Sequence, residues 1–239
     1  MRLALIGHGS MGSLVDHLVT SQGRQRNEEI GIVLKSKDDS KSIDELAFEL
    51  RDHDAAIDFS VSSAVLRNVL ACAVAGVPLV EGTTGWKDQE AEARKIVNQH
   101  DATLVYGANF SIGVNIFYRI VSQAAKLLAA FEAYQAFIEE EHHSRKKDAP
   151  SGTALKLKEV MSEHLASEVP IASMRAGHIP GTHRVGFDSA PDQILLTHMA
   201  RSREGFASGA LMAARWIVGR KGIYEFSEVI DEVLRSNDQ

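Results

Sequence analysis

Leu3-Ala4-Leu5-Ile6-Gly7-His8-Gly9-Ser10-Met11-Gly12 decides the architecture of this chain. Residues 3–6 form a short apolar run that stops at glycines, and Met11, Val15, Leu18 and Val19 then recur at helical spacing. The opening therefore reads strand, turn, helix. Gly7, Gly9 and Gly12 fit the G-x-G-x-x-G spacing of a dinucleotide-binding turn. There the first glycine permits the tight turn, the second lets the backbone approach a pyrophosphate, and the third lets helix and strand pack closely. The helix start, at Ser10 and Met11, offers amides and positive dipole to phosphate. Glycine-rich turns also occur without a ligand, so the position at the head of a strand–helix series carries the reading.

The same rhythm repeats downstream. Residues 30–34, 55–59, 77–80 and 104–106 read as strands, with helical stretches at 62–75 and 88–99. Strands alternating with helices of this length imply a parallel sheet covered on both faces, a Rossmann-type doubly wound α/β fold. After about Phe110 the pattern changes. A helical stretch at 115–131 precedes a strand at 134–140 and a charged segment; 182–187 and 193–198 read as strands, and 206–218 is helical again. We expect a dinucleotide-binding domain over residues 1–110 and 204–239, and a second, α+β domain over 111–203.

Composition narrows the partners. The net charge of −6, from 26 basic against 32 acidic residues, gives no electrostatic reason to expect nucleic acid or an anionic membrane. The sole cysteine, Cys72, excludes an intramolecular disulfide and lies in the apolar run VLACAVAG, which fits a buried small hydrophobe and a reducing cytoplasm. Met1-Arg2 leads straight into the first strand, so no secretory leader is expected, and the longest apolar stretch, 69–80, is too short to span a bilayer.

At the ribose-reading position the second strand ends in Leu34-Lys35-Ser36-Lys37 rather than in an acidic residue. Lys35 thus favours a 2′-phosphate, hence NADPH, with NADH still open. A solvated lysine loop is the plainer alternative, and Asp38 or Asp39 could still reach a ribose.

Residues 139–154, EEHHSRKKDAPSGTA after the leading Glu139, concentrate His142, His143, Arg145, Lys146 and Lys147 in an otherwise acidic protein. Pro150 suits a helix start, and Ala154, Leu157, Met161 and Leu165 give the next segment an apolar face, which sets Ser151, Gly152 and Thr153 in its first turn. Free amides there would bind a carboxylate, with Lys146 and a histidine adding charge and protons. A surface loop with capping residues is the competing reading. Adjacent residues of a strand face opposite ways, so His142 and His143 do not converge on a metal, and we expect none.

The stretch from Glu140 to Ala154 closely resembles the signature of the dihydrodipicolinate reductases, E-x-H-H-x-x-K-x-D-A-P-S-G-T-A. GHGSMG at Gly7, DFS at Asp58, EGTTGW at Glu81, GANFSIGVN at Gly107 and FASGALMAARWI at Phe206 resemble the same family in the same order. The resemblance implies that Gly7, Gly9, Ser10, Met11 and Gly12 hold the pyrophosphate, and that Gly82, Thr83, Thr84, Ala108, Asn109 and Phe110 lie against the nicotinamide and its ribose. It implies His142 and Lys146 as acid groups, and His143, Ser151, Gly152, Thr153 and Arg203 as contacts to a small dicarboxylate substrate. Reduction of a cyclic imine dicarboxylate would follow, in a homotetramer built through the second domain. Glu141 stands where the family commonly has a small residue, and Leu34 where it usually has an acidic ribose contact. Two other readings remain: a different two-domain dehydrogenase, since a nucleotide domain says nothing about the second substrate, and a dinucleotide sensor without catalysis.

Overall fold

The computed structural model describes residues 1–38 and 40–236, and for residues 22–25 and 37 the backbone alone. Asp39 and the Lys37 side chain, both considered at the ribose position, lie outside the described residues. Two compact units emerge, Met1–Ile112 with Glu204–Gln239, and Gly113–Arg203.

Along the chain, the first unit lays down β1 (Arg2–Ile6), α1 (Ser10–Arg26), β2 (Glu29–Leu34), α2 (Ile43–Leu50), β3 (Ala55–Asp58), α3 (Val65–Ala75), β4 (Leu79–Glu81), α4 (Glu90–Gln99) and β5 (Thr103–Tyr106). Helix α5 (Ile112–Leu128) leads into β6 (Gln135–His142), α6 (Gly152–Ser162), β7 (Ile171–Arg175), β8 (Thr182–Asp188) and β9 (Gln193–Met199). The chain then returns to the first unit with α7 (Glu204–Ile217), β10 (Gly222–Glu225) and α8 (Phe226–Ser236).

The first sheet runs β10-β5-β4-β3-β1-β2, every pairing parallel. The expected doubly wound sheet is present, with β10 as a sixth strand that the sequence reading did not pick out; α2, β7 and α8 were also unread. Its four inner strands present no exposed face: Leu3, Ala4, Leu5, Ala55, Ala56 and Ile57 are fully buried. Both sides are covered, which is why these strands read as unbroken apolar runs rather than alternating ones. On one side Leu46 and Leu50 of α2, Val69 and Cys72 of α3, and Ala93 and Val97 of α4 join Ala4, Ala56, Leu79 and Leu104 in one core. Helix α7, rich in buried alanine, packs on β3, β4 and β5 and against α1.

The second unit is a mixed sheet, order β7-β6-β8-β9, with β7 parallel to β6 and the other pairings antiparallel. Strand β6 alternates: Ala136, Ile138, Glu140 and His142 are buried on one face. Phe117, Val121 and Ala125 of α5 and Ala154, Leu157 and Met161 of α6 close over the apolar part of that face. Glu141 is in register with Met174 and Thr182, Thr182 with Met199, and Gly186 with Leu195, so the strand period sets these side chains on the opposite face. There Met174, Leu195 and Met199 are 45%, 48% and 61% exposed. No helix among the described residues is long and apolar enough to cross a membrane.

Candidate active site

In the first unit the loops after β1 and β3 meet where the strand order reverses, the place where open α/β sheets bind ligands. Gly7 has a left-handed φ of +83°, and a Cβ there would stand 2.6 Å from the Phe59 carbonyl oxygen. At Gly12 a Cβ would come within 2.1 Å of the Gly7 carbonyl oxygen, whereas at Gly9 it would meet nothing within 4 Å. Packing thus requires two of the glycines, and the third leaves an open cradle beside the start of α1. That geometry fits a dinucleotide pyrophosphate. Ser10 opens the helix and is exposed; Met11 is half-buried.

A cavity of about 370 Å³ adjoins this cradle, lined by Gly7 and Gly9, Leu34 and Lys35, Ser60, and Arg67 of α3, among others. The Arg67 guanidinium donates to the carbonyls of Asp38 (2.8 Å) and Lys41 (3.1 Å). Asp38 accepts from the Lys35 amide at 2.8 Å and pairs with the Lys41 ammonium at 2.7 Å, so it is engaged in its own turn.

The other expected cofactor residues stand at the ends of β4 and β5. Thr83 is buried, its amide donating to Glu81 Oε1 at 2.7 Å and its carbonyl accepting from the Trp86 indole at 2.9 Å, while Gly82 is half-buried and Thr84 exposed. Asn109 Oδ1 accepts from the Ser111 amide at 2.9 Å, and Ala108 is exposed. Phe110 is only 2% exposed, its ring centroid 4.6 Å from that of Phe226 and 6.4 Å from that of Phe59. Its ring belongs to the core of this unit rather than to a ligand face.

The second unit gathers the acid groups. The strand period puts Glu140 and His142 side by side, and His142 Nδ1 hydrogen-bonds Glu140 Oε2. Glu140 Oε1 accepts from Arg175 Nη2 at 2.7 Å and from the Ser151 amide at 3.3 Å. Arg175 is in register with His142 on β7 and also donates to the Asp148 carbonyl at 2.6 Å. His183, opposite Glu140 on β8, hydrogen-bonds Ser151 Oγ through Nε2 at 3.1 Å, its ring 5.1 Å from that of His142. Ser151 is the N-cap of α6, its Oγ accepting from the Ala154 amide at 3.2 Å. The cap therefore stands one residue ahead of the helical turn expected for it, and Gly152 and Thr153 are the first two helical residues, whose amides lack intrahelical acceptors.

Charge follows from this packing. Burial pushes the Glu140 carboxyl up, but Arg175, Ser173 and His142 outweigh it and hold the group at about 2. Burial lowers His142 below the usual histidine range; Glu140 opposes the shift, and Lys146 and Arg175 reinforce it. Burial, helped by His142, lowers His183 to about 4. Lys146 closes a turn on the His143 carbonyl (3.1 Å), and its ammonium pairs with Asp148 at 2.9 Å, holding that carboxyl below its usual value. His143 is half-buried with no partner for Nδ1, and Arg203 is exposed immediately before α7.

Glu140, His142 and His183 bring one potential metal-ligand atom each within 4.8 Å of one another. Sequence reasoning weighed only the neighbours His142 and His143, not this trio. Here Glu140 is already bonded to Arg175 and Ser151, and Lys146 adds a second cation nearby, a setting suited to hydrogen bonding rather than cation capture. With Nδ1 turned to a carboxylate, His142 has Nε2 left to exchange a proton, beside an ammonium and a helix start that can hold a carboxylate. Glu140, Arg175 and His183 had no role in the sequence reading. Only Glu140 left a local trace, its spacing of two from His142 within a strand.

Comparison with known proteins covers both units. The family models described as dihydrodipicolinate reductase, N-terminus and C-terminus, match residues 1–110 and 113–230. A 4-hydroxy-tetrahydrodipicolinate reductase of Christiangramia forsetii is 37% identical over 99% of this chain and 100% of its own length. One from Methanosarcina mazei is 39% identical over 74% of this chain and 73% of its own. Among solved structures, a dipicolinate-bound dihydrodipicolinate reductase from Paenisporosarcina sp. TG-14 matches with a TM-score of 0.73, covering 94% of this chain and 97% of that one; at 21% identity this likeness speaks for the fold. Matched in both parts by the family's models and along its length by a relative of equal extent, the chain belongs to the dihydrodipicolinate reductase family.

Proposed function

We propose that this chain reduces 4-hydroxy-tetrahydrodipicolinate to tetrahydrodipicolinate, a step of diaminopimelate and lysine biosynthesis, using a nicotinamide dinucleotide. The observation that carries the reading is the Glu140–His142 pair, joined through Ser151 to a capped helix start and flanked by Lys146. In this reading residues 1–110 with 204–239 bind the dinucleotide, and residues 111–203 bind substrate and assemble the oligomer.

When bound, the cofactor supplies hydride to C4 of the cyclic imine dicarboxylate. The chain's own residues handle protons and anions. Loss of water puts a proton on the departing C4 oxygen and releases one from C5, and after hydride reaches C4 the enamine carbon C5 takes a proton back; His142 and Lys146 are the donors. Glu140 keeps His142 Nδ1 occupied, so proton exchange runs through Nε2. Burial shifts free His142 toward its neutral form, and the negative charge of a bound dicarboxylate favours its charged, donating form. Gly152 and Thr153 offer main-chain amides to one substrate carboxylate, and His143 and Arg203 add to anion binding.

Lys35 and Arg67, which both line the adenosine-side cavity, support a preference for NADPH over NADH. The exposed Met174, Leu195 and Met199 on the outer face of the second sheet support assembly of a homotetramer through that sheet. The sole cysteine, buried and free, agrees with a cytoplasmic enzyme.

The decisive experiment supplies purified protein with substrate generated in place by a synthase from pyruvate and aspartate semialdehyde, and follows NADPH and NADH oxidation. Oxidation that depends on the synthase is the expected result. Absence of oxidation by protein that binds NADPH would overturn the substrate and leave the fold untouched.

A further inference from the structure

Beneath the loops expected at the cofactor lie two acids that the proposed chemistry does not use. Asp58 and Glu81 close β3 and β4 in register, so their side chains share one face of the sheet, and both are completely buried. Asp58 Oδ1 accepts from the Ser60 amide and Oδ2 from Asn68 Nδ2, each at 2.7 Å. Glu81 Oε1 accepts from the Thr83 amide at 2.7 Å, but Glu81 Oε2 is buried without a partner when both acids are taken as bare acceptors. Among the described residues no cation pairs with either carboxyl.

Two fully buried carboxylates within hydrogen-bonding reach of each other, with no cation paired to them among the described residues, cannot both stay ionised. A proton carried on Glu81 Oε2 donates to Asp58, which already holds two N–H donors and is thereby the better-stabilised anion, while the buried Thr83 hydroxyl faces the same Glu81 carboxyl. We propose that Asp58 and Glu81 form an acid–carboxylate pair sharing one proton, and that the pair is a positioning element for residues 59–61 after β3 and 82–84 after β4. Through the Ser60 and Thr83 amides it couples the two loops, so the loop expected at the nicotinamide is set by a protonation state rather than by packing alone.

Burial raises both groups, and the Asp58 charge adds to the rise at Glu81. Among the described residues, Cys72 of α3 is a further titratable group facing the pair; burial and the same two acids push its thiol up as well, so it stays neutral. The direction with pH follows. A carboxyl whose folded value is raised stabilises the fold fully below its unfolded value and loses that contribution as pH rises through the folded value. Raising the pH through the folded value of the pair should therefore loosen the two loops.

The inference rests on the proposed cofactor role only for its binding readout. Infrared spectroscopy of the wild-type protein at neutral pH should show the C=O stretch of a buried neutral carboxylic acid, and E81Q should lack it. This band reports the pair whether or not a dinucleotide binds. NADPH affinity of the wild type should weaken about tenfold for each pH unit once the shared proton titrates. E81Q, whose amide donates permanently, should lose that slope and bind more tightly than E81A. A wild-type spectrum without the neutral-acid band, or an E81Q binding profile parallel to that of the wild type, overturns the proposal. Should E81Q fail to fold, the melting temperature of the wild type decides instead: it must fall as pH rises from the ordinary carboxylate range toward the folded value of the pair, and a flat profile there is the contrary result.

Discussion

His142 Nδ1 is hydrogen-bonded to the carboxylate of Glu140, two residues earlier on the same strand, and that carboxylate is itself anchored by Arg175. The ring is held by a neighbour that the strand period cannot move away. Replacing Glu140 by Gln removes the charge that fixes the Nδ1–H tautomer while keeping the volume. Turnover should fall by on the order of 10²-fold with NADPH affinity little changed. Steady-state kinetics with a separate titration of NADPH would show this, and equal turnover would remove Glu140 from the account.

Lys146 is assigned a proton in the reaction, so Lys146→Ala should lower kcat by about 10²- to 10⁴-fold. Turnover near that of the wild type on the cyclic substrate would show that the ammonium serves only its ion pair with Asp148.

The pH profile offers a sign to check. Donation needs charged His142, so activity is lost as pH rises through its pKa. In the free enzyme that pKa lies below the usual histidine value, because of burial. A bound dicarboxylate raises it. The loss of kcat with rising pH should therefore occur at higher pH than the loss of kcat/KM, and coincident limbs would contradict a substrate-charged histidine.

Two glycines of one loop should behave differently. A Cβ at Gly12 would collide with the Gly7 carbonyl, so Gly12→Ala should lower the melting temperature and impair NADPH binding together. Gly9→Ala meets open space and should melt like the wild type while weakening NADPH by about tenfold or more, since the methyl would occupy the pyrophosphate cradle. Calorimetry and cofactor titration on the two variants separate the cases.

Lys35→Ala should weaken NADPH several-fold more than NADH, measured as the ratio of the two dissociation constants. A side chain merely solvated on the loop would change neither.

Much of the fold was legible because its signals are local. The unbroken apolar strands at residues 3–6 and 55–57 announce a sheet buried on both faces, and the glycine spacing announces what stands between strand and helix. Strand β10 escaped because Gly222–Glu225 is four residues at a sheet edge, only half-buried, with no apolar run to distinguish it. Helix α8 carries a clear apolar face at Phe226, Val229 and Ile230, and was legible but unread. At the site, residues within one signature stretch were found by their spacing. Arg175 and His183 were not, since β7 and β8 bring them beside β6 only through sheet pairing that no local pattern encodes. Asp58 and Glu81 each stand in a motif of the sequence, yet that the two acids pair is visible only once β3 and β4 are in register.

The return of the chain after β9 has a consequence for biosynthesis. The second unit is an insertion: every residue of its sheet has been translated before α7, β10 and α8 are made. On the ribosome the inserted unit can complete its sheet while the first five strands of the other still wait for their edge. The six-stranded parallel sheet is thus finished last, by the segment that follows the inserted unit, and a nascent chain stalled before Gly222 would carry a whole acid cluster and an unfinished first sheet.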